Sequence, residues 1–279
     1  MMRLICALAC AAAANAFGWG ADGHSVIAEI AQRRLTSEAR LEMERLLGPG
    51  VSLASLSSWA DDVRPDRPET SNWHFINFPV KEDRYDPAVV CKATPTGDCI
   101  IGAMQRQRAI LTCPSGDAKR REALKFAVHL IGDVHQPLHT ITEERGGNLI
   151  RVDVDIRNGK CPRCPPRRTQ ENLHSVWDSV LISNKEWNWG AYVTRLEEGW
   201  LKAPEARGAE AGTVEDWMLA SHRVAAQAWD WLPADKLVGD LYFTQVMPLI
   251  DKQLALGGVR LARFLNETLP TLLRRETCN

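Results

Sequence analysis

His129-Leu130-Ile131-Gly132-Asp133-Val134-His135-Gln136-Pro137-Leu138-His139 is the stretch on which both the fold and the chemistry turn. An apolar run, Ala123, Leu124, Phe126, Ala127 and Val128, leads into it, and His129 and Asp133, four residues apart, point from one face of a helix. That is a metal-ligand spacing. Pro137 kinks or ends the helix, so His139 escapes the helical period and is free to serve a second ion nearby. One histidine and one aspartate so spaced are ordinarily a solvated or hydrogen-bonded helix face, and the rest of the chain decides between the two.

The chain has 279 residues, 45% of them hydrophobic, which suits one large domain with a sizeable core. Its formal charge of -1 argues against a generic basic nucleic-acid binder. Bound dications would create a local field that a residue count misses, so the charge does not exclude a nucleic-acid substrate. Residues 1–18 read as a signal peptide: Arg3 is the positive region, Leu4 to Ala14 the short apolar one, and Ala16 with Gly18 the small residues at a cleavage site. Cleavage after Gly18 starts the mature chain at Trp19, and a cut after Ala16, leaving Phe17 first, competes with it. The product is expected to be secreted or periplasmic, with no membrane helix.

Six cysteines remain after export: Cys91, Cys99, Cys113, Cys161, Cys164 and Cys278. Cys91 and Cys99 flank a Thr-Pro-Thr-Gly loop and are expected to pair. Cys161-Pro162-Arg163-Cys164 lacks a second CxxC and reads as a local bridge rather than a zinc ribbon or redox site. The partners of Cys113 and Cys278 are left open.

Apolar residues recur at three-to-four spacing in 24–35, 37–47, 100–113, 118–136, 187–203, 213–231 and 240–265, which predicts helices. Only Leu149 to Ile156 alternates as a strand, in a short hairpin with the segment after Asn158. The loops at 64–70, 157–169 and 203–212 do not resemble interdomain linkers, and there is no internal repeat. The expectation is a single all-α domain over residues 19–279 with one β-hairpin.

Further ligand types gather in short motifs. Trp19-Gly-Ala-Asp-Gly-His24 opens the first helix, Ser58-Trp59-Ala60-Asp61-Asp62 offers a carboxylate, and Asn72-Trp73-His74-Phe75 an imidazole. Asn172-Leu173-His174-Ser175-Val176-Trp177-Asp178 repeats the His-x-x-x-Asp spacing. A single histidine of this kind is usually a core or surface residue, but joint occurrence with carboxylates at helical spacing argues against several independent bland readings. Of the ten tryptophans, Trp59, Trp73 and Trp177 fall within these motifs, whereas Trp187, Trp189, Trp200, Trp217, Trp229 and Trp231 suit core or groove packing. His135 reads as a packing residue or a support for a ligand, His222 as structural, and Asn266-Glu267-Thr268 is a glycosylation acceptor by sequence.

In order and across nearly the whole mature chain, HLIGDVHQPLH at 129–139, GGN at 146–148 and NLHxxWD at 172–178 resemble the secreted, zinc-dependent, single-strand-specific nucleases and 3'-nucleotidases of the S1/P1 type. The resemblance implies a mainly helical fold with three zinc ions in a cleft. Asp61, His74, His129 and Asp133 would hold one ion. The Trp19 amino nitrogen and carbonyl, His24 and a bridging Asp133 would hold its close neighbour, and His139, His174 and Asp178 the third. A terminal amine, with a pKa near ~8, yields its proton to zinc at modest cost.

The implied reaction is endonucleolytic hydrolysis of single-stranded DNA and RNA to 5'-phosphate products, with 3'-mononucleotides as further substrates. A hydroxide shared by two zinc ions is the implied attacker, Asp61 orients it, and Arg64 stabilises charge on the phosphoryl group. Phe75 would be an aromatic platform for an unpaired base, against the plainer reading of a core phenylalanine. Asn77 stands where relatives often carry aspartate reading the base edge. The enzyme is expected to be a monomer. A zinc-dependent phospholipase C with the same three-metal logic, a catalytically silent exported zinc-binding protein, and a 3'-nucleotidase with little endonuclease activity are the competing readings.

Overall fold

A computed structural model describes residues 18–113, 115–158 and 168–270. Residues 1–17 of the expected signal peptide, the Cys161/Cys164 pair and Cys278 lie outside the described residues. The helices are α1 Ala21–Gln32, α2 Ser37–Leu47, α3 Trp59–Val63, α4 Pro87–Val90, α5 Ile100–Thr112 and α6 Asp117–Val134. They continue with α7 Leu173–Ser175, α8 Leu181–Lys185, α9 Trp189–Glu198, α10 Val214–Asp230 and α11 Asp240–Thr268. The fold is mainly helical, as the periodicity predicts, and among the described residues no helix is long and apolar enough to cross a membrane.

Local chemistry sets the ends. Thr36 caps α2 by accepting from the Ala39 N–H at 3.2 Å, and Thr213 and Asp216 form a reciprocal capping box at α10. The central helix is α6. Every residue from Phe126 to Val134 is buried, so its second half is enclosed on all sides rather than along one stripe. α5, α11 and α3 pack around α6, and α1 lies against α11. Pro137 acts as expected: α6 stops at Val134, Gln136 is extended, and a 3-10 turn, Pro137–Thr140, carries His139 out of the helical period.

The sheet has three strands in the order β2-β1-β3: β1 Arg151–Asp155, β2 Thr169–Asn172 and β3 Leu237–Gly239. β1 is antiparallel to β2, with Val152 opposite Glu171, and parallel to β3. Val152 and Val154 point inward, which is the alternation seen in the sequence. The third strand is too short to carry a periodic signal. β2 runs directly into α7, so the sheet serves as the mount for His174.

Cys91 and Cys99 are disulfide-bonded. Cys113 is also in a disulfide, with its partner outside the described residues. Two expectations change. Trp187 is 85% exposed, hence neither core nor groove packing. The acceptor Asn266 lies inside α11 with both ends of its amide engaged: Oδ1 accepts from the Thr36 N–H at 2.8 Å and Nδ2 donates to the Arg34 carbonyl at 3.0 Å. Helix and engaged amide together make the sequon a poor acceptor.

Arg120 is a buried guanidinium that ties separate helices together near the base of α6. It donates to Glu42 of α2 and to the carbonyls of Leu111 and Leu269. Arg120→Ala strands those acceptors, and is expected to lower the unfolding free energy by about 3 kcal/mol in urea titration; a change within about 0.5 kcal/mol would show that the tie carries nothing.

Candidate metal centre

Asp133 is fully buried, and its two oxygens face different neighbours. Oδ2 lies 3.0 Å from His74 Nδ1 and 3.1 Å from His129 Nε2. Oδ1 lies 3.3 Å from His24 Nε2. Asp61 joins the first set, 3.5 Å from His74 and 3.6 Å from His129. In the third set His174 Nε2 is 3.5 Å from Asp178 Oδ2, and the His139 ring stacks on His174 with centroids 5.0 Å apart. Three groups result, each within metal-sharing reach: Asp61/His74/His129, His24/His129/Asp133 and His139/His174/Asp178.

Second contacts aim these rings. His129 Nδ1–H donates to the Ser57 carbonyl at 2.7 Å, His139 Nδ1–H to the His74 carbonyl at 2.7 Å, and His174 Nδ1–H to the Gly146 carbonyl at 2.6 Å. Each bond selects the tautomer that leaves Nε2 as an acceptor for a cation. Gly146 has φ 65°, and a Cβ there would meet the Leu138 carbonyl, which explains the first glycine of the GGN motif. Asn172 caps α7 through the Ser175 N–H, and a π-type turn, Val176–Val180, sets Asp178 opposite His174. The Gly20 N–H donates to the Asp178 carbonyl at 2.8 Å, fastening the segment that bears Trp19 to this turn.

The residues fit a dication. Nitrogens and oxygens bound to one tetrahedral zinc at ~2.0–2.1 Å stand roughly 3.3 Å apart. The separations of 3.0 to 3.6 Å around His74, His129, Asp61 and Asp133 match the edges of such a tetrahedron. His24 Nε2, Asp61 Oδ1, Asp133 Oδ1 and His139 Nε2 are buried with no hydrogen-bond partner, a costly state that a cation relieves. Electrostatics agree. Burial opposes charge on His129, but Asp133 and Asp61 prevail and raise its pKa to about 9, so a proton is held where a metal would compete for it. Burial pulls His139 down to about 3, which keeps it neutral and able to ligate.

The chain matches the family model described as S1/P1 Nuclease over residues 19–270. The chain belongs to the S1/P1 nuclease family. It is 32% identical to Endonuclease 2 of Arabidopsis thaliana over 281 residues, covering 91% of this chain and 92% of that protein. It is 29% identical to Nuclease P1 of Penicillium citrinum, covering 89% and 97%, and 27% identical to Nuclease S1 of Aspergillus oryzae, covering 90% and 91%. As an S1/P1 nuclease the chain is a hydrolase whose substrates are nucleic acids, and the three His/Asp groups are its candidate metal-binding groups.

The other sequence candidates of this S1/P1 nuclease take varied places. Trp19 is fully buried. Arg64, half-buried, donates to the Ser71 carbonyl at 3.0 Å. Phe75 is half-buried directly after His74, and Asn77 is exposed. His135 supports α6 by donating from Nδ1 to the Ile131 carbonyl, and His222 stacks on Phe78. Gln136 is a further member of the site that no ligand spacing in the sequence marks. Its Nε2 donates to Asp178 Oδ1, and its Oε1 accepts from the Leu138 N–H at 2.6 Å. Because Gln136 lies beyond the helix end, no helical period could have located it. Gln136→Leu is expected to weaken metal binding by the His139/His174/Asp178 group about 10–100-fold in chelator competition; unchanged affinity would remove Gln136 from the site.

Proposed function

We propose that this S1/P1 nuclease is an exported, monomeric, zinc-dependent enzyme that cuts single-stranded DNA and RNA and removes phosphate from 3'-mononucleotides. The observation that carries the reading is the sharing of one buried carboxylate, Asp133, between two histidine sets with a third set alongside. Zinc is favoured by the purely imidazole and carboxylate donor set. Asp61, His74, His129 and Asp133 would hold one ion, Trp19, His24 and Asp133 a second, and His139, His174 and Asp178 the third. When bound, zinc supplies Lewis-acid charge that neutralises phosphate oxygens and shifts the acidity of water toward ~7.

Export bears directly on the second ion. Gly18 is buried, and a methyl group on it would overlap Asp133 Oδ1 and crowd His24 Nε2. Cleavage between Gly18 and Trp19 would clear that space and leave the Trp19 amine and carbonyl beside His24 and Asp133. A cut after Ala16 would leave Gly18 in the way.

The protein's own groups would do the rest. Asp61 Oδ1 has no hydrogen-bond partner, so it can accept a proton from an attacking water and orient it toward phosphorus. Water adds to phosphorus as the P–O3' bond breaks and the departing O3' gains a proton, leaving a 3'-hydroxyl upstream and a 5'-phosphate downstream. Cleavage of that same bond in a 3'-mononucleotide releases inorganic phosphate. Arg64 can neutralise the phosphoryl group, Phe75 can stack an unpaired base, and Asn77 can both donate to and accept from its edge. The relatives compared above are nucleases, which favours this reading over a phospholipase C.

The test is hydrolysis of single-stranded DNA and RNA by secreted protein whose amino terminus has been sequenced, before and after chelation and after zinc is restored. Trp19 as first residue, loss and recovery of activity, and 5'-phosphate ends are expected. Zinc bound to a Trp19-initiated chain that cuts neither polymer would overturn the nuclease claim, and 3'-phosphate ends would overturn the bond assignment.

A further inference from the structure

A second concave site lies away from the three His/Asp groups and shares no residue with them. It is a cleft of 420 Å³ between α10, α11 and the segment around residues 200–209, lined among others by Trp200, Glu205, Arg223, Gln227, Lys252 and Arg260. Arg223 and Gln227 are four apart on α10, so both face the cleft; Lys252 and Arg260 are eight apart on α11 and do the same from the other wall. Three cations thus meet one carboxylate, Glu205, in a chain whose overall charge is -1. Neither Arg223 nor Lys252 has an ion-pair partner among the described residues.

Arg260 is the more telling group. It is half-buried, its Nε donates to the Ala209 carbonyl at 3.0 Å, and its Nη1 donates to His135 Nε2 at 2.9 Å. Asp216 is the one carboxylate whose field reaches it, without a hydrogen bond or ion-pair contact, and its Nη2 makes no hydrogen bond among the described residues. The guanidinium is pinned on one side by neutral acceptors and by the Trp217 ring, 5.4 Å away, with its remaining donor edge unused. Burial lowers its pKa only to about 10, so it stays charged at neutral pH. Asp216 favours that charge from a distance but makes no hydrogen bond to it, so a positioned guanidinium keeps a donor edge free for an anion in the cleft.

We propose that this cleft binds a phosphate-class oxyanion, with Arg260 as its fixed anchor and Arg223, Lys252 and Gln227 closing on the remaining oxygens. A tetrahedral oxyanion offers several acceptor oxygens in different directions, which suits donors arriving from two helices better than a single carboxylate would. Such a group comes from two sources, free phosphate or the terminal phosphate of a mononucleotide, and Trp200 stands where a base could follow the latter. The site does not depend on the metal reading. Arg260 does join the cleft to α6, since His135 passes the contact on to the Ile131 carbonyl in the turn between His129 and Asp133.

Acetylation of Lys252 by an amine-reactive ester, followed by peptide mass spectrometry on the mature metal-loaded protein, reads the site locally. Several millimolar inorganic phosphate is expected to slow Lys252 acetylation by about threefold or more, with exposed Lys92 unaffected. Equal protection by a 5'-mononucleotide supports recognition of the phosphoryl group alone, and stronger protection by it supports recognition of the whole nucleotide. The exposed change Arg223→Gln should weaken the protection without disturbing the fold. Absence of protection by either ligand, equal protection by chloride at matched ionic strength, or full protection in Arg223→Gln would each overturn the proposal. Failure of the nuclease reading would leave this readout untouched.

Discussion

A carboxylate with no access to water, Asp133, is the constraint on which the molecule is arranged. Burial alone would push its pKa up, yet His129 and the neighbouring imidazoles hold it well below the usual carboxylate range. The charge persists in the interior because histidines from α1, from the 3-10 turn Pro68–His74 and from α6 itself converge on it. Those three elements are distant in sequence. Enclosure of α6 by its neighbours, termination of that helix at Pro137 and docking of the Trp19 segment on the Asp178 turn are the means by which they meet.

Around this centre the backbone acts as a set of acceptors that fix ring orientation. The Ser57, His74 and Gly146 carbonyls each take one imidazole N–H. Backbone carbonyls therefore carry functional load beside the side-chain ligands, and His74 supplies both. The short Phe78/Ile141 bridge and the Ile76 N–H to His139 carbonyl bond, 2.9 Å, hold the segments of His74 and His139 side by side. Displacing one strand of this pair would misplace two rings at once.

Much of this is legible in the sequence alone. The helical windows form helices because the three-to-four apolar spacing is dense, and the Pro137 break is local chemistry. The ligand types are visible as motifs, and the structure brings His24, Asp61, His74, His129, Asp133, His139, His174 and Asp178 into three adjacent groups. What stays hidden is what no period encodes. The three-residue strand at 237–239 is chosen by its neighbour β1, Gln136 reaches Asp178 from an extended segment, and Trp187 lies exposed although its composition suggests packing. The occlusion of Asn266 depends on the link between α1 and α2 meeting α11, a purely tertiary fact.

The proposed chemistry requires three zinc ions held by these three groups in a chain that begins at Trp19. Diffraction from crystals of the mature protein on both sides of the zinc absorption edge tests this most directly. Three anomalous peaks are predicted, two flanking Asp133 and one between His139, His174 and Asp178, with the Trp19 amine at one of the first pair. Peaks absent from both sides of Asp133, or a metal cluster assembled from other residues, would contradict it.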